Sequence, residues 1–190
     1  MRKHPGYILL VLILSLAGTV LWLALRPDSA PQRMPEIAGF AIGAVQTMEI
    51  THADSPPVKV QRIEGGWQVL SSSGQWRGAD SDAVSHLVDD LTAMEPLRVV
   101  TRNPEQYEKL KVGEGATKVT LKDQQGGLLF EVLIGKQGSD LLSTYLRLPD
   151  RPEVLAVNRS LVWQVSRPLD GWNANEGDPV DAHNTGKSHE

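Results

Sequence analysis

VKVQRIEGGWQVL, residues 58–70, is the stretch from which the fold can best be predicted. Apolar and polar side chains alternate along Val58–Ile63, which is the period of a strand with one buried face. Gly65 and Gly66 form a turn signal, and the residues after them begin a second strand-like run. With the alternating TMEIT at residues 47–51, the stretch predicts an antiparallel meander.

One amphipathic helix follows the meander. Its apolar residues have the i, i+3, i+4, i+7 spacing of a single helical stripe: Val84, Leu87, Val88 and Leu91. Asp80 and Ser81 suit the N-cap, because their side-chain oxygens accept hydrogen bonds from the first turn. Pro96 ends the helix, LRVVT at 97–101 predicts a strand, and residues 104–110 predict a short helix.

A second set of strand signals begins at Lys118. Its predicted strands are 119–123, 128–135, 144–148 and 154–157, with a Gly126-Gly127 turn after the first. A last helix is predicted to hold Leu161, Val162 and Val165 and to be capped by Asn158 or Ser160.

The two sets share an order of strands, a Gly-rich turn, further strands and a capped helix. The strand at 48–51 corresponds to 119–122, and the helix at Ser81 corresponds to the helix at Asn158. We therefore hypothesise a degenerate duplication of a β-β-β-α unit. The predicted class is α+β, an antiparallel sheet with its helices on one face.

Residues 7–25, YILLVLILSLAGTVLWLAL, contain no charged side chain. At about 1.5 Å per residue, a helix of this length nearly matches a hydrocarbon core of about 30 Å. Arg2 and Lys3 precede it, so the positive-inside rule places the N-terminus in the cytoplasm. The alternative is a cleaved signal peptide, but WLALRP at 22–27 is a poor cleavage site. The prediction is a single-pass transmembrane anchor that includes Tyr7, Leu14, Gly18, Trp22 and Leu25.

The anchor sets the predicted organisation of the chain. Residues 1–6 are cytoplasmic, 7–25 cross the bilayer, 26–40 form a proline-containing linker, 41–172 form the exported α+β domain, and 173–190 form a disordered tail. The predicted location is the plasma (inner) membrane, with the C-terminal domain periplasmic or otherwise extracytoplasmic. The lipid bilayer is thus one predicted partner.

Composition narrows the classes of partner and site. The net charge of −4 and pI near 5.7 argue against a nucleic-acid partner, which requires a clustered basic surface. The chain has no cysteine, which excludes disulfides, thiolate metal ligands and cysteine nucleophiles.

Two groups of polar residues are candidates for a site of chemistry. Asp82 and His86, with Asp89 or Asp90, have helical spacing that suits a metal, but they lie opposite the apolar stripe and are expected to be solvated surface. His52 could join a serine among residues 71–73 in a hydrolase site, but no nucleophile motif is present and a polar turn is expected. No catalytic, cofactor-binding or metal-ligating residue is predicted, and no cofactor.

Two tryptophans and two arginines form a candidate contact for a partner: Trp163, Trp172, Arg147 and Arg167. Trp163 lies off the Leu161/Val162/Val165 stripe, and aromatic and arginine side chains are enriched at protein interfaces. The alternative is that the tryptophans cap the edge of the core.

Residues 47–172 also resemble a family. The matching pieces are Gly66-Trp67, Ala79-Asp80 with the helix AVSHLVDDLTAME, Val99-Val100, Val119-Thr120-Leu121, Ile134-Gly135-Lys136, Tyr145–Leu148 and Val154–Val157. Their order resembles a bacterial membrane-anchored family of unknown function, found beside or fused to gliding-motility-type ABC-transporter auxiliary proteins. Members often have Gly-Leu and a proline where this chain has LKVGEG at 110–115. The resemblance implies no catalytic residue.

These observations support three hypotheses of function. The first is a non-enzymatic, membrane-tethered accessory subunit that binds another membrane protein, such as a transporter or a larger complex. The second is a module that binds a ligand or envelope glycan in a groove between the two pseudo-repeats. The third is a hydrolase that uses His52 or His86.

Overall fold

The structure is a computed structural model, and it describes residues 15–16, 34–35, 37 and 39–174. The predicted cytoplasmic segment, nearly all of the predicted anchor, most of the linker and the tail from 175 onward lie outside these residues. The same is true of the five anchor residues Tyr7, Leu14, Gly18, Trp22 and Leu25. Among the described residues, no helix has both the length and the apolarity needed to cross a membrane.

In the described part of the chain, nine strands form one antiparallel sheet, which confirms the α+β class. The strands are β1 Thr47–His52, β2 Ser55–Ile63, β3 Gly66–Leu70, β4 Trp76–Gly78, β5 Pro96–Thr101, β6 Thr117–Lys122, β7 Leu128–Gln137, β8 Thr144–Arg147 and β9 Val154–Val157. Their order across the sheet is β4-β3-β2-β1-β6-β7-β8-β9-β5.

The β2–β3 hairpin forms as its sequence predicts. Ile63 pairs with Gly66, and Arg62 pairs with Trp67. Gly65 has a φ of +89°, a left-handed conformation that glycine adopts without a steric penalty. The turn signal in the sequence therefore marks the position where the backbone needs a residue without a Cβ.

Within residues 39–174, the helices are α1 Ser81–Ala93, α2 Tyr107–Leu110 and α3 Val162–Val165, with 3-10 turns at Ile42–Ala44, Pro104–Gln106 and Leu169–Trp172. The predicted stripe of α1 is buried. Asp80 is its N-cap, and its side chain accepts a hydrogen bond from Ala83 N at 3.0 Å. The predicted helix and its cap are both confirmed.

The sheet buries apolar side chains on both faces. Along β9, Leu155 and Val157 belong to the main core with α1 and α3, whereas Val154 and Ala156 belong to a smaller cluster on the other face. Tyr107 and other residues of the α2 region pack against that second cluster. The prediction that all helices share one face is therefore wrong for α2, because both faces of β8 and β9 are apolar and both need a cover.

The start of the last helix also differs from its prediction. The N-cap of α3 is Leu161, not Asn158 or Ser160. Asn158 instead accepts a hydrogen bond from Glu95 N at 2.8 Å, and Thr144 Oγ1 accepts one from Leu161 N at 2.9 Å. The side chains with capping chemistry thus satisfy main-chain groups across the fold, which local sequence does not reveal.

Strand β4 has no counterpart among the predicted strands. It is short, all three of its residues are exposed, and it therefore lacks the alternation that identifies a half-buried strand. With β4 included, four antiparallel strands and a helix occur in each half, β1–β4 with α1 and β6–β9 with α3. The strand order is symmetric about the β1–β6 pair apart from β5 at the edge. The duplication stays a hypothesis, with four strands per unit in place of three.

Candidate functional site

A cleft of about 290 Å³ opens between α1 of the first half and α3 of the second. Its lining combines acidic, imidazole, amide, guanidinium and indole groups: Asp80, Asp82, Ala83, His86, Trp163, Gln164, Arg167 and Trp172. We call it the seam cleft, because its walls come from both halves of the sheet. Three of the four residues predicted as partner contacts line it.

Asp82 and His86 form the α1 wall of the seam cleft. They are four residues apart, about one helical turn, and lie on the face of the helix opposite the buried stripe. Both are exposed. Their prediction as water-facing residues of α1 agrees with this position, and the structure adds a facing wall.

Arg167 forms the floor of the cleft and is held on three sides. Its Nη1 atom donates to Asp80 Oδ2 at 3.0 Å and to the Gly171 carbonyl at 3.1 Å. Its guanidinium lies 5.3 Å from the centre of the Trp172 ring, in cation–π range. Arg167 thus joins the last turn of the domain to the start of α1.

Trp172 lies beneath the floor. It is 1% exposed, and its Nε1 donates to the Arg167 carbonyl at 3.3 Å. The prediction of Trp172 as a surface contact is corrected: its indole fills the core, because the 3-10 turn at Leu169–Trp172 folds back over the sheet.

Trp163 forms the α3 wall, and its side chain is 60% exposed. The helix beneath it is anchored by Gln164, which is 4% exposed and donates to Asp90 Oδ2 at 2.7 Å. Arg159 Nε binds the other oxygen of Asp90 at 3.1 Å. A four-residue helix would not be stable alone, so these cross-links to α1 stabilise the helix that carries Trp163.

Arg147, the fourth predicted contact residue, lies elsewhere. Its guanidinium stacks 4.6 Å from the Tyr107 ring, and its Nε donates to the Val112 carbonyl at 3.1 Å. It lines a separate cavity of about 520 Å³ together with His52 and Glu108. The structure therefore separates Arg147 from the other three residues.

The residues of the hypothesised metal site have different contacts in the structure. Asp90 binds Arg159 and Gln164, whereas Asp82 and His86 line the seam cleft. Within the described residues, no group of three or more His, Asp or Glu side chains is arranged to hold a metal ion.

His52 binds a main-chain carbonyl and not the serine that a hydrolase site would require. Its Nε2 donates to the Val165 carbonyl at 2.9 Å, across the β1–α3 contact. Ser71 bonds to Ser73 Oγ at 2.9 Å and to the Gln75 carbonyl at 2.8 Å within its own turn. Neither contact is the nucleophile–base pair of a Ser-His-Asp site.

Sequence reasoning missed Gln164 and Asp90 as supports of the site. Asp90 resembled any solvent-facing acid on α1, and Gln164 carried no motif. A buried glutamine on a short apolar helix is a signal that it has a specific partner, since buried amides are hydrogen-bonded. The partner itself, 74 positions away, follows only from the tertiary fold.

Residues 67–176, more than half of the 190-residue chain, match the family described as Domain of unknown function (DUF4340). The chain belongs to this family. The matched range begins at β3 and contains every residue that lines the seam cleft. No curated protein and no solved structure matches this DUF4340 chain.

Proposed function

We propose that this DUF4340 chain is a non-enzymatic accessory or interaction subunit. Residues 7–25 tether it to the plasma membrane, and its α+β domain lies on the periplasmic side. There it binds another membrane protein, such as a transporter or a larger complex. The surface around Trp163 is the binding site.

The exposure of Trp163 carries this proposal. A tryptophan that is 60% exposed leaves much of a large apolar ring in water, and the same ring would be a strong anchor in an interface. The seam cleft beside it is large enough for a partner side chain. Asp82 and His86 on the facing wall offer polar contacts to that side chain.

The hydrogen bonds and ion pairs beneath the seam cleft support the same function. Gln164, Arg159 and Arg167 each bind an aspartate of the α1 region, so the two walls of the cleft are cross-linked to each other without a partner. A pre-organised surface loses less conformational entropy on binding.

Affinity purification of the full-length chain in mild detergent tests the proposal. We expect a stoichiometric membrane protein in mass spectrometry, which Trp163→Ala removes. Trp76→Ala is the matched control, because Trp76 is 40% exposed on the edge strand β4 and outside the cleft. A wild-type chain that purifies alone, or equal loss with both variants, would count against the proposal.

A second function, binding of an envelope glycan, is favoured by one observation. The seam cleft lies between the two halves and combines an exposed indole with carboxylate, imidazole and amide groups. Indole faces pack against sugar rings while polar groups bind hydroxyls. Quenching or a blue shift of tryptophan fluorescence with N-acetylated amino-sugar oligosaccharides, lost in Trp163→Ala, would support it over the protein partner.

A further inference from the structure

One end of the sheet exposes aliphatic side chains from three separate segments. Ile42 precedes β1, Ile63 ends β2 and Leu128 begins β7, and they are 41%, 41% and 63% exposed. The strand register places Ile63 and Leu128 at one end, because Thr47, the first residue of β1, pairs with Gln61 of β2 and with Lys122, which in turn pairs with Leu128. Ile42 lies five residues before Thr47, in the 3-10 turn that leads into this end of β1. We call this the linker-side end, since β1, the first strand of the sheet, begins there.

Main-chain hydrogen bonds hold the linker-side end together. Gln46 N donates to the Lys122 carbonyl at 2.9 Å, and the Gln46 carbonyl accepts from Arg62 N at 2.8 Å. In the β6–β7 turn, Asp123 N donates to the Gly127 carbonyl at 2.9 Å, and Asp123 Oδ1 accepts from Gly127 N at 2.7 Å. These turns thus satisfy main-chain groups internally, which favours contact with an apolar phase.

The charges at this end balance. Arg62 and Lys122 are accompanied by Glu64 and Asp123 on the same two turns. Attraction to anionic lipid therefore contributes little, and the three aliphatic side chains decide what the surface binds.

The length of the linker favours a bilayer as the occupant. Ile37 is buried in the main core, so the free linker ends before it, and residues 26–36 span at most about 40 Å when fully extended. A domain of this size has a radius of gyration of about 14 Å. A chain anchored by residues 7–25 therefore keeps this end within roughly one or two domain diameters of the lipid, and a tether makes even a weak contact effective.

We propose that the linker-side end of the domain docks on the bilayer, with Ile42, Ile63 and Leu128 inserted among the lipid headgroups. This inference rests on the proposed function, because it needs the membrane tether. It leaves Trp163 and the seam cleft free for a partner. Two other exposed leucines, Leu141 and Leu142, follow the far end of β7 and stay in water.

The test uses the full chain in vesicles of phosphatidylethanolamine with a minor share of phosphatidylglycerol. Because the chain has no cysteine, Gln125→Cys and Ser139→Cys each accept one fluorophore. Both sites are exposed, and they flank opposite ends of β7, roughly 30 Å apart at the rise of a strand. We expect nitroxide-bearing lipids to quench the label at position 125 several-fold more strongly than the label at 139.

Two variants in the Gln125→Cys background separate insertion from mere proximity. Leu128→Ser together with Ile63→Ser should lower lipid quenching several-fold, whereas Leu142→Ser, which removes a leucine that is 74% exposed, should leave it unchanged. Equal quenching at 125 and 139, or no effect of the double variant, overturns the inference. Protection of position 125 only in native membranes assigns the surface to a protein partner and also overturns it.

Vesicle flotation distinguishes this failure from failure of the proposed function. A chain that floats with vesicles but shows no lipid quenching at position 125 retains the tether and loses the docking. A chain that does not float lacks the membrane tether, and this result contradicts both the proposed function and the docking.

Discussion

The two carboxylate oxygens of Asp80 have different partners: Oδ1 accepts from Ala83 N at 3.0 Å, and Oδ2 accepts from Arg167 Nη1 at 3.0 Å. One side chain thus caps α1 and binds the segment that closes the domain. The ion pair is about three-quarters buried on both sides, so water screens it less than a surface pair.

Asp80→Ala should therefore destabilise the domain by about 2 kcal/mol, because it removes the cap and leaves Arg167 without its acid. Asp80→Asn keeps an oxygen for the cap and should cost less than half as much. Urea unfolding followed by tryptophan fluorescence measures both. Equal losses would show that the cap has no separate effect.

Truncation of the two tryptophans of the seam cleft should have very different effects on the stability of the domain. Trp172→Ala removes a ring that is 1% exposed and should cost about 3–5 kcal/mol. Trp163→Ala should change the unfolding free energy by no more than about 0.5 kcal/mol, since its ring lies largely in water. Thermal unfolding of the two variants checks this. A large loss in Trp163→Ala would mean that the ring has a structural role and not a binding one.

Gly135 lies where no larger residue fits. A Cβ there would be 2.4 Å from the Leu110 carbonyl oxygen and 3.0 Å from that of Tyr145. Gly135→Ala should therefore destabilise the domain by about 1–3 kcal/mol, because main chain must move.

Gly115→Ala is the control for Gly135→Ala. A Cβ at Gly115 has no atom within 4 Å, and the change should be within about 0.5 kcal/mol of neutral. Denaturant midpoints of the two variants should differ clearly. Similar midpoints would show that the α2 region can shift away from β7 at little cost.

Acid should weaken the Arg102–Glu153 pair. The hydrogen bond from Arg102 holds the pKa of the Glu153 carboxyl below its usual value of 4.5. A carboxyl with a lowered folded-state pKa adds stability above its unfolded-state pKa, and this stability is lost as the pH falls through the folded value. Because the Arg102 side chain is 51% exposed, the effect should be at most about 0.5 kcal/mol.

Unfolding curves between about pH 6 and pH 3 measure this effect, with Glu153→Gln as the comparison. The stability difference between wild type and variant should be constant above about pH 5 and should shrink below it. A difference that does not change with pH would show that the ion pair adds nothing to stability.

Prediction from sequence succeeded where the pattern is local and long. The α1 stripe and its Asp80 cap follow from helical spacing and capping chemistry, and β2–β3 follows from strict alternation around Gly65. It failed for β4, which buries no residue, and for the cap of α3, where Asn158 binds Glu95 63 positions away. The cleft residues Trp163 and Arg167 were predicted as contact residues from their amino-acid types alone, but Arg147 was wrongly grouped with them.

By itself, the sequence determined the α+β class, the main strands, the buried stripe of α1 and the glycine turns, because each depends on the periodicity or the backbone freedom of neighbouring residues. Only the tertiary structure decided that Trp172 is buried while Trp163 is exposed, and that both halves contribute to one cleft. Those outcomes depend on contacts such as Gln164–Asp90 and Arg167–Asp80, between residues 74 and 87 positions apart. No local pattern encodes such a pairing, since the free energy of each contact exists only after both segments have packed on the sheet.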